Sequence, residues 1–248
     1  MRIAALYDIH GNLPALEAVL EDLSRCGVDR VVIGGDILPG PMPREVISRL
    51  QAMPWPTEFL RGNCEVALLQ QMSGAEPVGV PEAARPSIRW TAQQVNSAQR
   101  GWIERWPMTI RTNLPALGEV LFCHATPRNE TEIFTKETPE ERLLPVFAEV
   151  GAAVVVCGHT HMQFDRSIGS TRVINAGSVG MPFGAPGAFW VLLGEDIELR
   201  RTEYDREAAA EHLRHTEYPG AADFADNYVL NPPSETRMLE LFAKAELK

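Results

Sequence analysis

The sequence has few cysteines, no excess of positive charge and no long apolar run. Its four cysteines show no paired spacing, so we expect no disulfide framework. A net charge of −10, from 23 Lys and Arg against 33 Asp and Glu, argues against stable nucleic-acid binding through a basic surface. Apolar runs such as 152–157 are far too short to span a bilayer. No signal-peptide core precedes Asp8, so we expect a cytoplasmic protein without membrane association.

Short apolar runs alternate with helical patterns in the first 160 residues. Leucines at 13, 16, 20 and 23 predict an amphipathic helix between the first two runs. Strands joined in this way by helices are parallel, which indicates an α/β fold. The runs predicted as strands are Ile3–Tyr7, Arg30–Gly34, Thr57–Leu60, Val120–Cys123 and Val154–Cys157.

The pattern changes after His161. Four short runs separated by glycine-containing turns, at 163–167, 171–174, 188–193 and 197–202, predict an antiparallel meander beside the parallel strands. Residues 1–248 are predicted to form one domain, with a helical insertion at about 74–107 and a helical C-terminal extension at about 205–248. Tryptophans at 90, 102 and 106 in the insertion are expected to pack between helices.

Each predicted parallel strand is followed by a small polar cluster. In an open α/β sheet, ligands bind outside the carboxyl ends of the strands, so these clusters are expected to meet at one edge. Four of the six histidines lie in them, whereas His212 and His215 are expected on a solvated helix. The residues of interest are Asp8, His10 and Asn12, then Asp36, then Arg61, Asn63 and Cys64, then His124, and finally His159 and His161.

Two aspartates, four histidines and one asparagine of these clusters form a donor set for borderline transition metals. Seven ligands are too many for one tetrahedral zinc ion and suit two ions that share a bridge. The Asp-x-His and His-x-His spacings would put both side chains on one side if the backbone is extended. Glycines at 35, 62 and 158 would allow sharp turns and let substrate approach the backbone.

The motifs Asp8-x-His10, Gly35-Asp36, Gly62-Asn63, His124 and Gly158-His159-x-His161 resemble, in order and spacing, those of the calcineurin-like metallophosphoesterase superfamily. Residues 1 to about 200 are similar to its small bacterial branch of predicted phosphodiesterases, as the segments 8–12, 90–91, 124–127 and 175–180 also indicate. The resemblance implies a layered β-sandwich of mixed parallel and antiparallel sheets, flanked by helices.

The resemblance also implies a ligand set. Asp8, His10 and His161 would hold one divalent ion; Asn63, His124 and His159 would hold the other; Asp36 would bridge them. Manganese is favoured among Mn, Fe, Zn, Co and Ni. A bridging water or hydroxide would attack a phosphoester in line. The implied activity is that of a phosphodiesterase acting on a small nucleotide-like substrate.

Three further residues are candidates near the reaction. Arg61 and Asn12 could contact phosphate oxygens, although Asn12 equally suits the N-cap of the following helix. Cys64 replaces a histidine that many superfamily members carry and that is thought to protonate the leaving oxygen. A thiol is a poor substitute for an imidazolium, so we expect a preference for diesters or activated leaving groups over ordinary monoesters.

The resemblance is also compatible with other functions. Relatives in the superfamily include phosphoprotein and dinucleoside-polyphosphate phosphatases, and a non-catalytic metal-binding scaffold is a further alternative. A serine-hydrolase motif at 176–180 is disfavoured because the following segment, rich in proline and glycine, cannot form the required helix. The physiological substrate and oligomeric state are not specified, although apolar Met238, Leu239 and Phe242 would suit a homo-oligomer.

Overall fold

Two five-stranded β-sheets lie face to face in the computed structural model, which describes residues 1–247. Helices cover their outer faces, so the predicted layered α/β fold is confirmed. The strands are β1 Ile3–Leu6, β2 Arg30–Ile33, β3 Thr57–Phe59, β4 Thr109–Leu114, β5 Gly118–Cys123, β6 Val154–Cys157, β7 Phe164–Ile168, β8 Thr171–Asn175, β9 Ala188–Leu193 and β10 Ile197–Thr202.

The α-helices are distributed along the whole chain. They are α1 Leu13–Arg25, α2 Pro43–Gln51, α3 Asn63–Met72, α4 Arg85–Gln94, α5 Ser97–Ile103, α6 Glu140–Phe147, α7 Arg206–Arg214, α8 Ala221–Phe224 and α9 Glu235–Phe242. A short 3-10 turn at Glu82–Ala84 precedes α4, and a π-helical turn at Ala225–Leu230 follows α8. Within the described residues, no helix is both long and apolar enough to cross a membrane.

The first sheet has the order β10-β9-β1-β2-β3, and the second has the order β4-β5-β6-β8-β7. Strands β1, β2 and β3 run parallel, as do β5, β6 and β8. The remaining neighbours pair antiparallel. Both sheets are therefore mixed, and the carboxyl ends of their parallel strands converge at one end of the sandwich.

Both faces of β1 are buried, which explains its unbroken apolar sequence. Side chains alternate across a strand, so Ile3 and Ala5 face the second sheet while Ala4 and Leu6 pack against α1. Burying strands on both faces holds their ends rigidly in place. The polar residues that follow them are thereby positioned by the core.

The predicted antiparallel meander after His161 is wrong in its connectivity. Strands β7 and β8 form a hairpin in the second sheet, while β9 and β10 form a hairpin in the first. The chain crosses between sheets through the segment 176–187, and β8 pairs parallel with β6. Alternation of apolar residues locates each strand but carries no signal for the sheet that it joins.

Helices lie in both segments predicted to be helical, the insertion at about 74–107 and the extension at about 205–248, although residue 248 lies outside the described part. The C-terminal helices are tied to the main body by a cluster in which Leu213, Phe224 and Val229 pack near Met42. Trp102 and Trp106 contact Phe59 and each other, and Trp90 contacts Tyr218. These tryptophans pack between elements, as predicted.

Candidate metal centre

All seven residues predicted as metal ligands come together where strands of the two sheets end. Two sets of three residues each bring potential ligand atoms within 4.8 Å of one another. The first set is Asp8, His10 and His161, and the second is Asp36, His124 and His159. A third set of the same compactness joins His10, Asp36 and Cys64.

Asp8 faces two histidines in the first set. Its Oδ1 lies 3.3 Å from Nε2 of His161 and 3.9 Å from Nε2 of His10, and the two Nε2 atoms are 3.3 Å apart. The other oxygen, Oδ2, accepts the N–H of His159 at 2.9 Å. Oδ1 is buried and has no hydrogen-bond partner among the described residues. Burying a carboxylate oxygen that accepts no hydrogen bond destabilises the folded state unless a cation binds to that oxygen.

Asp36 belongs to the second set and also approaches His10 of the first. Its Oδ2 is 3.5 Å from Nε2 of His124 and 4.0 Å from Nε2 of His10, while Oδ1 accepts the N–H of Cys64 at 2.9 Å. Asn63 joins the second set through its Oδ1, which is 3.0 Å from Nε2 of His124. The rings of His124 and His159 meet edge to face with centroids 5.1 Å apart.

Backbone carbonyl groups orient two of the imidazoles. Nδ1 of His124 donates to the carbonyl of Gly34 at 2.9 Å, and Nδ1 of His161 donates to the carbonyl of Met181 at 2.6 Å. Because a carbonyl can only accept, the proton of each neutral ring resides on Nδ1 and the Nε2 lone pair faces the cluster. This is the tautomer that a metal ligand requires.

Burial and mutual proximity shift the titration of the cluster. Burial would raise the pKa of Asp8 and Asp36, but the facing imidazoles, chiefly His161 and His124 respectively, hold both carboxyls below their usual range. Burial, together with a neighbouring imidazole, lowers the pKa of His10 and His159 to about 4. Burial would also lower the pKa of His124, but the negative charges of Asp36 and Asp8 have a larger effect and raise this pKa to about 10.

Mixed carboxylate, imidazole and amide donors fit divalent transition ions. The unpartnered Oδ1 of Asp8 and the inward-facing Nε2 atoms are the observations that make the fit specific. Without a cation, the proton on His124 compensates part of the charge of the two aspartates. The residues present therefore suit bound cations.

The backbone at the cluster is not extended, contrary to the expectation from the Asp-x-His and His-x-His spacings. Five of the seven residues have left-handed backbone angles, with φ between 46° and 67°. They are Asp8, His10, Asp36, His159 and His161. Such conformations cost about 1–3 kcal/mol each in residues other than glycine, and they persist only where the surrounding structure imposes them. The side chains converge because of these strained turns.

Gly62 and Gly158 have a different use from the one expected. A Cβ at Gly62 would lie 2.1 Å from Oδ1 of Asp36, and one at Gly158 would lie 2.5 Å from Oδ2 of Asp8. The groups that approach the backbone at these two glycines are therefore aspartate side chains of the protein itself. The sequence analysis expected substrate in their place.

Glu65 is a residue that the sequence analysis missed. Its side chain is fully buried, and its two oxygens accept four backbone N–H groups, from Asp36, Ile37, Leu38 and Gly62. It thereby joins the loop after β2 to the start of α3. The available signal was its place at the third position of a helix that begins after Gly62, where a glutamate commonly accepts the N–H of the capping residue.

Ser178 and Asn175 fix the opposite side of the cluster. The Ser178 hydroxyl donates to the carbonyl of Asp8 and accepts the N–H of Met181, each at 2.7 Å. Asn175 donates to the carbonyl of Gly158 at 2.7 Å and to the Thr160 hydroxyl at 3.0 Å. Ser178 is fully buried and no helix follows it, so the disfavoured serine-hydrolase interpretation has no support in the structure.

The three other candidates differ in their surroundings. Asn12 is fully buried; its Oδ1 caps α1 at Ala15, and its Nδ2 donates to the carbonyl of Gly180. The structure thus shows the capping role, and a phosphate contact by Asn12 stays a prediction.

Nε of Arg61 is buried without a partner among the described residues. Burial and the nearby Asp36 raise the pKa of the Cys64 thiol, which is therefore neutral at pH 7.

Comparison with known proteins supports the resemblance. The model of the calcineurin-like phosphoesterase superfamily domain matches residues 1–196. The chain is 28% identical over 236 residues to uncharacterized protein MJ0912 of Methanocaldococcus jannaschii, covering 85% of this chain and 91% of that protein. It is 28% identical over 206 residues to phosphodiesterase YfcE of Escherichia coli strain K12, covering 79% and 89%.

A solved structure extends the likeness of fold beyond the matched domain. Hypothetical protein PH1004 from Pyrococcus horikoshii OT3 superposes with a TM-score of 0.78 at 19% identity, covering 94% of this chain and 99% of that one. The fold therefore includes most of the C-terminal helical segment.

We predict that His124 is an imidazolium in the metal-free protein at pH 8, whereas His10 and His159 are neutral. A raised pKa of about 10 means that the stability contributed by this proton is complete below pH 6.5 and is lost as the pH rises through 10. NMR of protein labelled with 15N-histidine, after chelation, measures the protonation of each ring. Adding Zn²⁺ should remove the Nε2 proton, since a protonated nitrogen cannot bind a cation.

A neutral His124 ring at pH 8 in chelated protein would contradict this prediction. The resonance is assigned by its loss in a His124→Gln variant. His212, which is exposed on α7, serves as the internal reference.

We predict that Glu65→Gln destabilises the metal-free protein by about 2–4 kcal/mol at pH 8, because an amide nitrogen then faces backbone donors that lose their acceptor. Burial, then the charge of Asp36, raises the pKa of Glu65 to about 7, so the carboxylate is ionised at pH 8. Urea unfolding measures the free energy. The matched control is Glu58→Gln, which breaks an exposed ion pair with Arg30 and should cost less than about 1 kcal/mol. Equal losses in the two variants would refute the role of Glu65.

Proposed function

The chain belongs to the calcineurin-like phosphoesterase superfamily, and from that premise we propose that it hydrolyses a small nucleotide-like phosphodiester at a centre of two divalent metal ions. As a member of the superfamily it is a metallophosphoesterase, which hydrolyses phosphoester bonds in a metal-dependent reaction. The observation that carries the two-ion proposal is the pair of compact donor sets, because Asp36 of the second set also lies 4.0 Å from His10 of the first.

We assign the ligands as the motifs suggest. Asp8, His10 and His161 hold one ion in this proposal. Asn63, His124 and His159 hold the other, and Asp36 bridges the two. The distance of 3.0 Å between Oδ1 of Asn63 and Nε2 of His124 supports the second set, because these two atoms are those that would face the cation. Mn²⁺ is the first ion to test, since oxygen and imidazole donors suit it.

Ions bound there would lower the pKa of a shared water molecule and offset charge on the phosphoryl oxygens. The protein contributes orientation. The carbonyls of Gly34 and Met181 fix two imidazoles, and the N–H groups of Cys64 and His159 fix the two aspartates. Arg61 is our candidate for phosphate contact, supported by its buried Nε without a partner.

Cys64 supports the preference for diesters in this proposal. Its side chain belongs to a compact set with His10 and Asp36, so it lies at the metal-facing side of α3. A neutral thiol donates only a weak hydrogen bond and is a poor proton source for a basic leaving oxygen. Substrates with better leaving groups depend less on proton donation to the leaving oxygen. An ordinary alkyl monoester is therefore expected to react slowly.

We expect hydrolysis of bis-p-nitrophenyl phosphate with Mn²⁺, and its loss after chelation. Asp36→Asn should lower the rate at least about 100-fold, since loss of a residue that only supports a metal ligand already costs about 10- to 100-fold. Asp165→Asn, which alters an exposed ion pair with Arg172, is the control and should retain activity. Equal rates with Mn²⁺ and with chelator would refute metal dependence, and metal analysis giving one ion per chain would refute the two-ion centre.

We expect Cys64→His to raise turnover of glycerol 2-phosphate about 10-fold or more relative to bis-p-nitrophenyl phosphate, because an imidazolium can protonate an alkoxide leaving group. Cys64→Ser, which keeps a small side chain without an imidazole, is the matched control. The ratio of kcat/KM values on the two substrates is the measurement. An unchanged ratio in Cys64→His would exclude the leaving-group role of this position.

A further inference from the structure

The segment that follows the matched domain forms a cavity beside the metal cluster. Its volume is about 410 Å³, within the range of small-molecule sites. Helix α9, the π-helical turn at 225–230 and the loop that carries Phe183 contribute its walls. Most of the lining therefore lies outside residues 1–196.

Phe183 connects this cavity to the metal cluster. Its ring stacks on that of His161, with centroids 4.9 Å apart and planes inclined by 22°. Its backbone N–H donates to the carbonyl of His161 at 3.2 Å, and the next residue, Gly184, donates to the carbonyl of Pro233 at 2.8 Å. None of the ligand residues of the cluster lines the cavity, so a molecule bound there would be separated from His161 by the Phe183 ring alone. The cavity is thus placed to receive a part of the substrate that is remote from the phosphate.

Several polar groups of the lining have no partner within residues 1–247. The Tyr228 hydroxyl and the Arg237 guanidinium make no hydrogen bond or ion pair there. The Asn227 amide nitrogen donates to Asp223 at 2.7 Å, and that of Asn231 donates to the carbonyl of Asp226 at 3.1 Å. Since carboxylate and carbonyl oxygens can only accept, the amide orientation is fixed and both Oδ1 atoms remain free acceptors.

The charge and shape of the lining favour one class of occupant. Asp223 and Arg237 balance each other, which does not suit a second phosphate group. The free amide oxygens and the hydroxyl do not suit an alkyl chain. Two aromatic side chains with adjacent acceptors and donors suit a flat, neutral, polar ring. Tyr228 and Asn227 also lie on a π-helical turn, a rare feature that is frequent at functional sites.

We propose that this cavity binds the nucleobase of the substrate, so that the C-terminal segment makes the enzyme selective for nucleotide phosphoesters. This inference rests on the proposed function and names the substrate class. Tyr228 and Phe183 provide aromatic contact with the base, while Asn227, Asn231 and Arg237 form hydrogen bonds with its edge.

Binding is tested with the metal-free chain of 248 residues, using adenosine 5′-monophosphate and, as the base-free probe, ribose 5-phosphate. Saturation-transfer difference NMR should show magnetisation transfer from the protein to the base protons of the nucleotide. We expect the nucleotide to bind at least about 10-fold more tightly than ribose 5-phosphate.

Tyr228→Ala should weaken nucleotide binding about 10-fold, since a base–aromatic contact contributes on that scale. Arg237→Gln, at an exposed position, should weaken it without risk to folding. Glu240→Gln, exposed on the same helix but outside the lining, is the control.

Equal affinity for the two probes in the wild-type protein would overturn the proposal. Unchanged nucleotide binding in both Tyr228→Ala and Arg237→Gln would do so as well. Because binding is measured without metal or turnover, failure of the hydrolysis assay would leave this result intact. If the protein hydrolyses bis-p-nitrophenyl phosphate but does not bind the nucleotide, the base site is refuted and the proposed function is not.

Discussion

The buried Glu65 carboxylate is the interaction on which the geometry of the cluster depends. It accepts the backbone N–H groups of Asp36 and of the two residues that follow it, and that of Gly62 at the start of α3, so one side chain sets the distance between two ligand-bearing segments. Gly62 must lack a side chain for this arrangement, because Asp36 lies against its backbone. Asp36 is therefore held by its surroundings before any cation binds.

Strain at the cluster is tolerated because hydrogen bonds and buried strands impose it. The turn through Asp8 and His10 is closed by backbone hydrogen bonds to Gly35 and Asp36 and by the Ser178 hydroxyl. Left-handed turns reverse the chain within two or three residues, which lets neighbouring side chains approach one point. An extended chain would have spread them over a longer edge. Burial of the neighbouring strands on both faces offsets the free-energy cost of these strained turns.

The sequence predicted the strand ends well because strands buried on both faces have continuous apolar sequences, and their polar successors stand out. The ligand candidates were predicted from their order after five predicted strands, although the third, β3, is a short edge strand with an exposed glutamate. The left-handed angles were not predicted, since spacing alone does not distinguish an extended Asp-x-His from a turn. Strand β4 was missed because only Ile110 and Leu114 of its six residues are apolar, which is too few to form an apolar run or a clear alternation. The role of Glu65 depends on a partner about 29 residues away, which no local pattern reveals.

The two parts of the candidate site differ in how their residues are held. In the metal cluster, the side chains of Asp8, Asp36, His124 and His161 each hydrogen-bond a backbone group of another segment, so a substitution there disturbs its neighbours. In the adjoining cavity, exposed groups such as Asn231 and Arg237 support little of the fold. Changes in the cavity should therefore alter the preferred substrate at small cost to stability, whereas changes in the cluster should affect catalysis and folding together. Phe183 is the exception, because its ring belongs to the cavity wall and also packs on His161.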